Sequence, residues 1–168
     1  MRNGALLLTL HLALVAFAPG AALAKDEHIQ WADVRGIIQP LGVVGTGSGA
    51  VTGGGAPWST TDGYVDVNLD RGKIDFEVHG LVLAAGNSIG TRAGIAMVKG
   101  TLVCDTTGSL TGNSALIDTD LVALDEQGNA HFNGAVGAFP AECSEPNIAF
   151  LIRTGGGAWL AFGAVRRP

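Results

Sequence analysis

The residues with the most chemistry in them lie in YVDVNLDRGKIDFEVHG, residues 64–80. Val65, Val67 and Leu69 alternate with Tyr64, Asp66 and Asn68. After Asp70-Arg71-Gly72-Lys73, Ile74, Phe76 and Val78 alternate with Asp75, Glu77 and His79. Period-two alternation on both sides of a glycine-containing turn is the pattern of a β-hairpin. With Leu69 opposite Ile74, that hairpin gathers Asp66, Asp75, Glu77 and His79 on one face. Paired carboxylates there could serve as the acid and base of a glycoside hydrolase. Carboxylate oxygens from neighbouring strands could take Ca2+. A sheet with one face on the core and one in water carries the same residues with no reaction to perform. The alternation itself predicts this solvated face and leaves the other two as alternatives.

Weaker patterns lie elsewhere. Asp118-Thr119-Asp120 followed by Asp125-Glu126 has the composition of a calcium loop, with Asp118, Asp120 and Asp125 as candidate ligands. It lacks the glycine and the spaced terminal glutamate of an EF-hand. The mature histidines His28, His79 and His131 have no ligand-like spacing, and no G-x-S-x-G elbow surrounds a serine. VVGTGSGA (43–50) fits the dinucleotide fingerprint G-x-G-x-x-G/A. That site requires a helix directly after the glycines, and Gly53-Gly54-Gly55 with Pro57 forbids one. No Lys-Ser/Thr follows to make a phosphate loop. The segment 42–57 reads as a glycine-rich mobile loop or weak edge strand, and no cofactor is expected. Trp58, beside it, is either a ligand platform at a barrel mouth or a lid on the core.

These side chains must be positioned by strands, because helix periodicity is absent after residue 24. Alternation and turn signals place strands in 29–39, 64–69, 74–79, 94–104, 114–124 (broken near Thr119), 130–137, 148–154 and 158–166. A single-domain antiparallel barrel or sandwich of about 8–10 strands is expected. Apolar-x-Gly-x-apolar recurs at Gly36, Gly80, Gly100, Gly134 and Gly163. Mid-strand glycines mark bends or close backbone approach, which suits a tightly curled sheet.

Residues 1–24 have the form of a secretory signal peptide: Met1-Arg2-Asn3, an apolar run over 5–18, and Ala22-Leu23-Ala24 at the cut. Cleavage leaves 25–168 as one β-domain. The full chain carries 10 basic and 15 acidic residues, net −5. Losing Arg2 leaves 9 against 15, net −6. No basic stripe exists to neutralise phosphates, so nucleic acid is excluded as a partner. The charged face of 64–79 disfavours an outer-membrane barrel, so no membrane span is expected after cleavage. The chain should act in the periplasm or outside the cell. An even cysteine count in that compartment predicts a Cys104–Cys143 disulfide.

IDFEVHGLVLAAGNSIGT, VKGTLVC and EPNIAFLIR resemble segments of small exported all-β bacterial proteins. The likeness spans most of 58–166 and implies fold and export, with no activity to carry over. FEVHGL is also similar to the CHRD domain, but that domain's His-x-His signature and terminal Gly-Glu-Ile-Arg-Gly are absent here. The expected function is therefore a non-catalytic binding or structural role toward a small ligand or cell-envelope component. The alternatives are a small secreted carboxylate hydrolase or barrel isomerase or cyclase, and a calcium-stabilised surface module.

Overall fold

The computed structural model describes residues 28–144 and 146–167. The segment 1–24, expected to be a signal peptide, lies outside the described residues. Among the described residues thirteen strands run in chain order: β1 (His28–Gly36), β2 (Val43–Val44), β3 (Val51–Thr52), β4 (Trp58–Ser59), β5 (Asp62–Asn68), β6 (Lys73–His79), β7 (Val82–Leu83), β8 (Met97–Cys104), β9 (Ala115–Asp118), β10 (Val122–Ala123), β11 (Ala130–Ala135), β12 (Ala149–Thr154) and β13 (Trp159–Arg166). Two 3-10 turns, Gly47–Gly49 and Ala141–Ser144, are the helical elements among the described residues. No helix there is long and apolar enough to cross a membrane.

The main sheet is antiparallel, in the order β10-β8-β12-β13-β1-β5-β6-β11, with β9 also on β8. It curls into a half-barrel, and its edge strands β10 and β11 are joined by the short 124–129 turn. β9 and β10 are one edge strand interrupted at Thr119. There the side chain stands in for the ladder: Gly100 N donates to Thr119 Oγ1 at 2.9 Å and Thr119 N to Gly100 O at 2.9 Å.

The inner face holds Ile29, Trp31, Val34, Val65, Val67, Ile74, Phe76, Val78, Leu102 and Phe150, all buried. Trp31, Phe76 and Phe150 meet at ring-centroid distances of 5.6–6.1 Å. Glycine makes room for these rings. A β-carbon on Gly100 would lie 2.7 Å from Phe150 Cζ and 2.8 Å from Phe76 Cε1; one on Gly163 would lie 2.7 Å from Trp31 Cγ. Gly36 admits the Trp58 backbone, and Gly134 the Phe132 ring. Gly80 differs from the expectation. It follows β6 and turns the chain instead of thinning a strand.

Cys104, at the end of β8, and Cys143, in the second 3-10 turn, form a disulfide with Cα atoms 4.6 Å apart. The segment 42–57, expected to be a mobile loop or a weak edge strand, holds a small two-stranded hairpin, β2–β3, folded over the Gly47–Gly49 turn. It is pinned to the 105–114 loop: Thr46 N donates to Ser114 Oγ and Ser48 N to Asn113 Oδ1, both at 2.9 Å. A β-carbon on Gly49 would sit 1.9 Å from Ser114 O. Gly49 serves close backbone contact, and the Thr46, Ser48, Gly49 and Ala50 amides are spent within the chain.

Candidate functional site

The register of four adjacent strands aligns the outward side chains in rows. Asn68 lies opposite Lys73, Asp66 opposite Asp75, Tyr64 opposite Glu77 and Asp62 opposite His79. β1 extends these rows with His28 beside Asn68 and Gln30 beside Asp66. β11 extends them with Asn133 beside Asp75 and His131 beside Glu77. The expected pairing of Leu69 with Ile74 is corrected by two residues. Asn68 Oδ1 accepts the Arg71 N–H at 2.8 Å, which closes the turn at Asn68–Lys73. A two-residue slide keeps every side chain on its face, so Asp66, Asp75, Glu77 and His79 do share the outer face.

The central row reads Gln30, Asp66, Asp75, Asn133. Two carboxylates stand side by side, flanked by an amide on each side. Like charges directly opposite oppose pairing, and neutral donors offset this. Gln30 Nε2 donates to Asp66 Oδ2, and Asn133 Nδ2 to Asp75 Oδ2. His28 Nδ1 donates to Asp66 Oδ1 at 3.0 Å. Tyr64 OH donates to Asp75 Oδ1 at 3.0 Å, with His131 Nε2 3.6 Å from the same oxygen. Because the Arg71 amide fixes Asn68 Oδ1, Asn68 Nδ2 faces His28 Nε2 at 2.8 Å. Nε2 is thus the acceptor and Nδ1 carries the proton toward Asp66. Each carboxylate oxygen keeps a lone pair for a further donor.

Burial, the Asp75 hydrogen bond and the charges of Asp75, Glu77 and Asp66 push the Tyr64 phenol up to about 12. Asp66, Asp75 and Glu77 stand together there, so the middle of the face is acidic.

Over these rows lies a cleft of about 540 Å3, with Asp66 and Asp75 in its floor. Arg71, Lys73 and Arg167 contribute to its lining. Arg71 stands in the β5–β6 turn and Lys73 at the start of β6. Arg167 follows β13, its N–H donating to Gln30 O at 2.8 Å. Among the described residues these three side chains have no hydrogen-bond or ion-pair partner. Glu77 and His79 lie outside the cleft; His79 Nε2 donates to Glu77 Oε1 at 2.8 Å and Nδ1 lies 3.5 Å from Asp62.

The other candidates are placed apart. Asp118 is held by Lys99, Thr101 Oγ1 at 2.6 Å and Arg153 Nη1 at 3.2 Å. Burial works to raise its pKa, but the Lys99 and Thr101 hydrogen bonds and the two cationic charges bring it below the ordinary range. Asp125 instead closes the 125–129 turn, accepting the Gln127 and Asn129 N–H groups at 2.9 and 2.8 Å. Asp118, Asp120 and Asp125 are not gathered into one site. Among the described residues no group of three or more His, Cys, Asp or Glu side chains is placed to hold a metal ion. Of the two readings of Trp58, the structure bears out the lid on the core and does not bear out the ligand platform. Trp58 is 5% exposed, and β4 is clamped by Ile37 O and by pairing with β7. A second, more open hollow of about 400 Å3 lies between Ala50–Gly53 and Gly156–Ala158. Its one charged lining side chain, Arg153, is already committed to Asp118, Thr101 and Gly157 O.

His28, Gln30, Tyr64, Asn68 and Asn133 were not singled out in sequence as members of this site. Their outward parity was readable; their alignment with Asp66 and Asp75 depends on cross-strand register. No family model matches the chain, and neither the curated proteins nor the solved structures include a detectable relative.

Proposed function

We propose that this chain is an exported, disulfide-stabilised β-domain whose role is to bind a small polar ligand on the outer face of β1, β5, β6 and β11, without catalysis. The observation that carries the reading is the cleft over the central row. Its two carboxylates are held by neutral protein donors, while three cations around it have no side-chain partner among the described residues. Such fixed, incompletely used polar groups orient a ligand. Export is supported by the form of residues 1–24, and the disulfide is compatible with it.

The direct cross-strand placement of Asp66 and Asp75 keeps one alternative in view, a carboxylate hydrolase. Thermal-shift screening of the purified protein against sugars, amino acids, short peptides and nucleotides separates the two. A shift with one class, lost in Asp75→Asn and with the ligand recovered intact, is expected. Recovery of cleaved ligand would establish the hydrolase instead, and no shift across the panel would remove the binding role.

A further inference from the structure

We infer that the cleft selects a zwitterion the size of a dipeptide, its ammonium between Asp66 and Asp75 and its carboxylate at Lys73 and Arg71. This rests on reading the cleft as a binding site and specifies what that site takes.

The argument is one of charge placement. The Asp66–Asp75 pair is satisfied by a glutamine, an asparagine, a tyrosine and His28. None of the close hydrogen bonds to it comes from lysine or arginine, so the pair is hydrogen-bonded but not neutralised. The Tyr64 phenol, raised first by burial and then by the Asp75 hydrogen bond and the charges of Asp75, Glu77 and Asp66, sits in the same acidic surroundings. A ligand hydroxyl would use the open lone pairs and leave the field standing; an ammonium would use both. A bare monovalent cation would answer the carboxylates but not the cations beside them.

Those cations lie one row away. Lys73 is two residues from Asp75 on the same face of β6, which puts their rows about 6.8 Å apart along the strand. An extended dipeptide is about 7 Å long. Its two termini therefore match the step from the acidic row to the basic one. Arg71 stands beyond Lys73 in the turn, where a second donor to a carboxylate belongs, and Arg167 adds positive charge at the β1 side. A single amino acid is too short to reach both rows. A long peptide would have to leave the end at which the cations sit.

Isothermal titration of the purified protein with alanyl-alanine tests this, using N-acetyl-alanyl-alanine, alanyl-alanine amide and maltotriose as comparisons. Alanyl-alanine should bind, and blocking either end should weaken binding at least about tenfold, the size of one charge-assisted hydrogen bond. The acetylation penalty should shrink in Asp75→Asn, where Asp66 alone remains, and the amidation penalty in Lys73→Met, where Arg71 alone remains. Equal affinity for free and blocked dipeptides would overturn the inference, as would no binding of alanyl-alanine at millimolar concentration. If maltotriose binds instead and Asp75→Asn abolishes it, the binding cleft stands and the zwitterion falls. If none of the probes binds and the thermal-shift panel is also silent, both fall. The blocked ligands are read on unaltered protein, so a variant that fails to fold does not rescue the proposal.

Discussion

Asp66 and Asp75 face each other across β5 and β6, and the Tyr64 hydroxyl donates to Asp75. The pair sets the electrostatics of the outer face, and Tyr64 reports on it. Tyr64 is the single tyrosine of the chain, so its ionisation can be followed without ambiguity. Absorbance at the phenolate band should titrate at about 12 in the folded protein. Asp75→Asn should bring the midpoint back toward the ordinary value. A midpoint near 10 in the unaltered protein would show that the carboxylates do not act on this group. The sign for stability follows: a phenol held above its unfolded value favours the fold below about pH 10, and that contribution is lost as pH rises toward 12.

Cys104 and Cys143 are separated by 39 positions, and their link ties the end of β8 to the turn before β12. Chain-entropy arguments value such a closure at about 4 kcal/mol. The Cys104→Ala/Cys143→Ala variant should lose roughly that much in urea unfolding. Thiol labelling of the unreduced, denatured protein should find no free cysteine; two labelled thiols per chain would reject the link.

Gly100 is the slot into which Phe76 and Phe150 close. Gly100→Ala should destabilise by about 1–3 kcal/mol through overpacking. Adding Phe150→Leu should recover part of that loss, because the two sites share one space. Additive losses in denaturant melts would mean the rings do not depend on the missing β-carbon.

Asp105 is fully buried after the disulfide strand and accepts from Leu110 N, Ser109 N, and the Ser109 and Thr107 hydroxyls. The Leu110 amide, opposed by burial and joined by Ser109 and Thr107, lowers its pKa to about 2. An acid held low by the fold stabilises it above about pH 4, and that support is lost as pH falls toward 2. Thermal melts across this window should show the loss. Asp105→Asn should be less stable at neutral pH and show a shallower acid limb. The backbone there, at φ +50, is one asparagine accepts. An unchanged acid limb would remove Asp105 as its source.

How far the sequence led differs between elements. Alternation located β1, β5, β6 and β11, where burial largely alternates along the strand, while β8, β12 and β13 were legible as short apolar runs between turn signals, in keeping with their burial on both faces over Gly100–Cys104, Phe150–Ile152 and Trp159–Ala161. It also marked the break at Thr119, where a β-branched polar residue replaces a backbone partner. Glycine recurrence foretold tight curvature; the identity of each occupant, Phe150 over Gly100 or Trp31 over Gly163, depends on the closed sheet. The β5–β6 register was misplaced because Asn68, a strand residue by alternation, also caps its own turn. Trp58 was open to two readings since exposure is a tertiary property. The cleft itself was half visible: two acids on an outward face were legible, but Gln30 and Asn133 come from strands 36 residues before Asp66 and 58 after Asp75. Only the sheet order brings them together.

The most direct test of the account is a map of backbone amide shifts as ligand is added to the isotope-labelled protein. With a compound that stabilises the protein in the thermal screen, perturbations should concentrate at Gln30, Asp66, Lys73, Asp75 and Asn133. Perturbations confined to Thr52, Gly156 and Gly157, or to the buried residues around Phe150, would place the ligand elsewhere and contradict it.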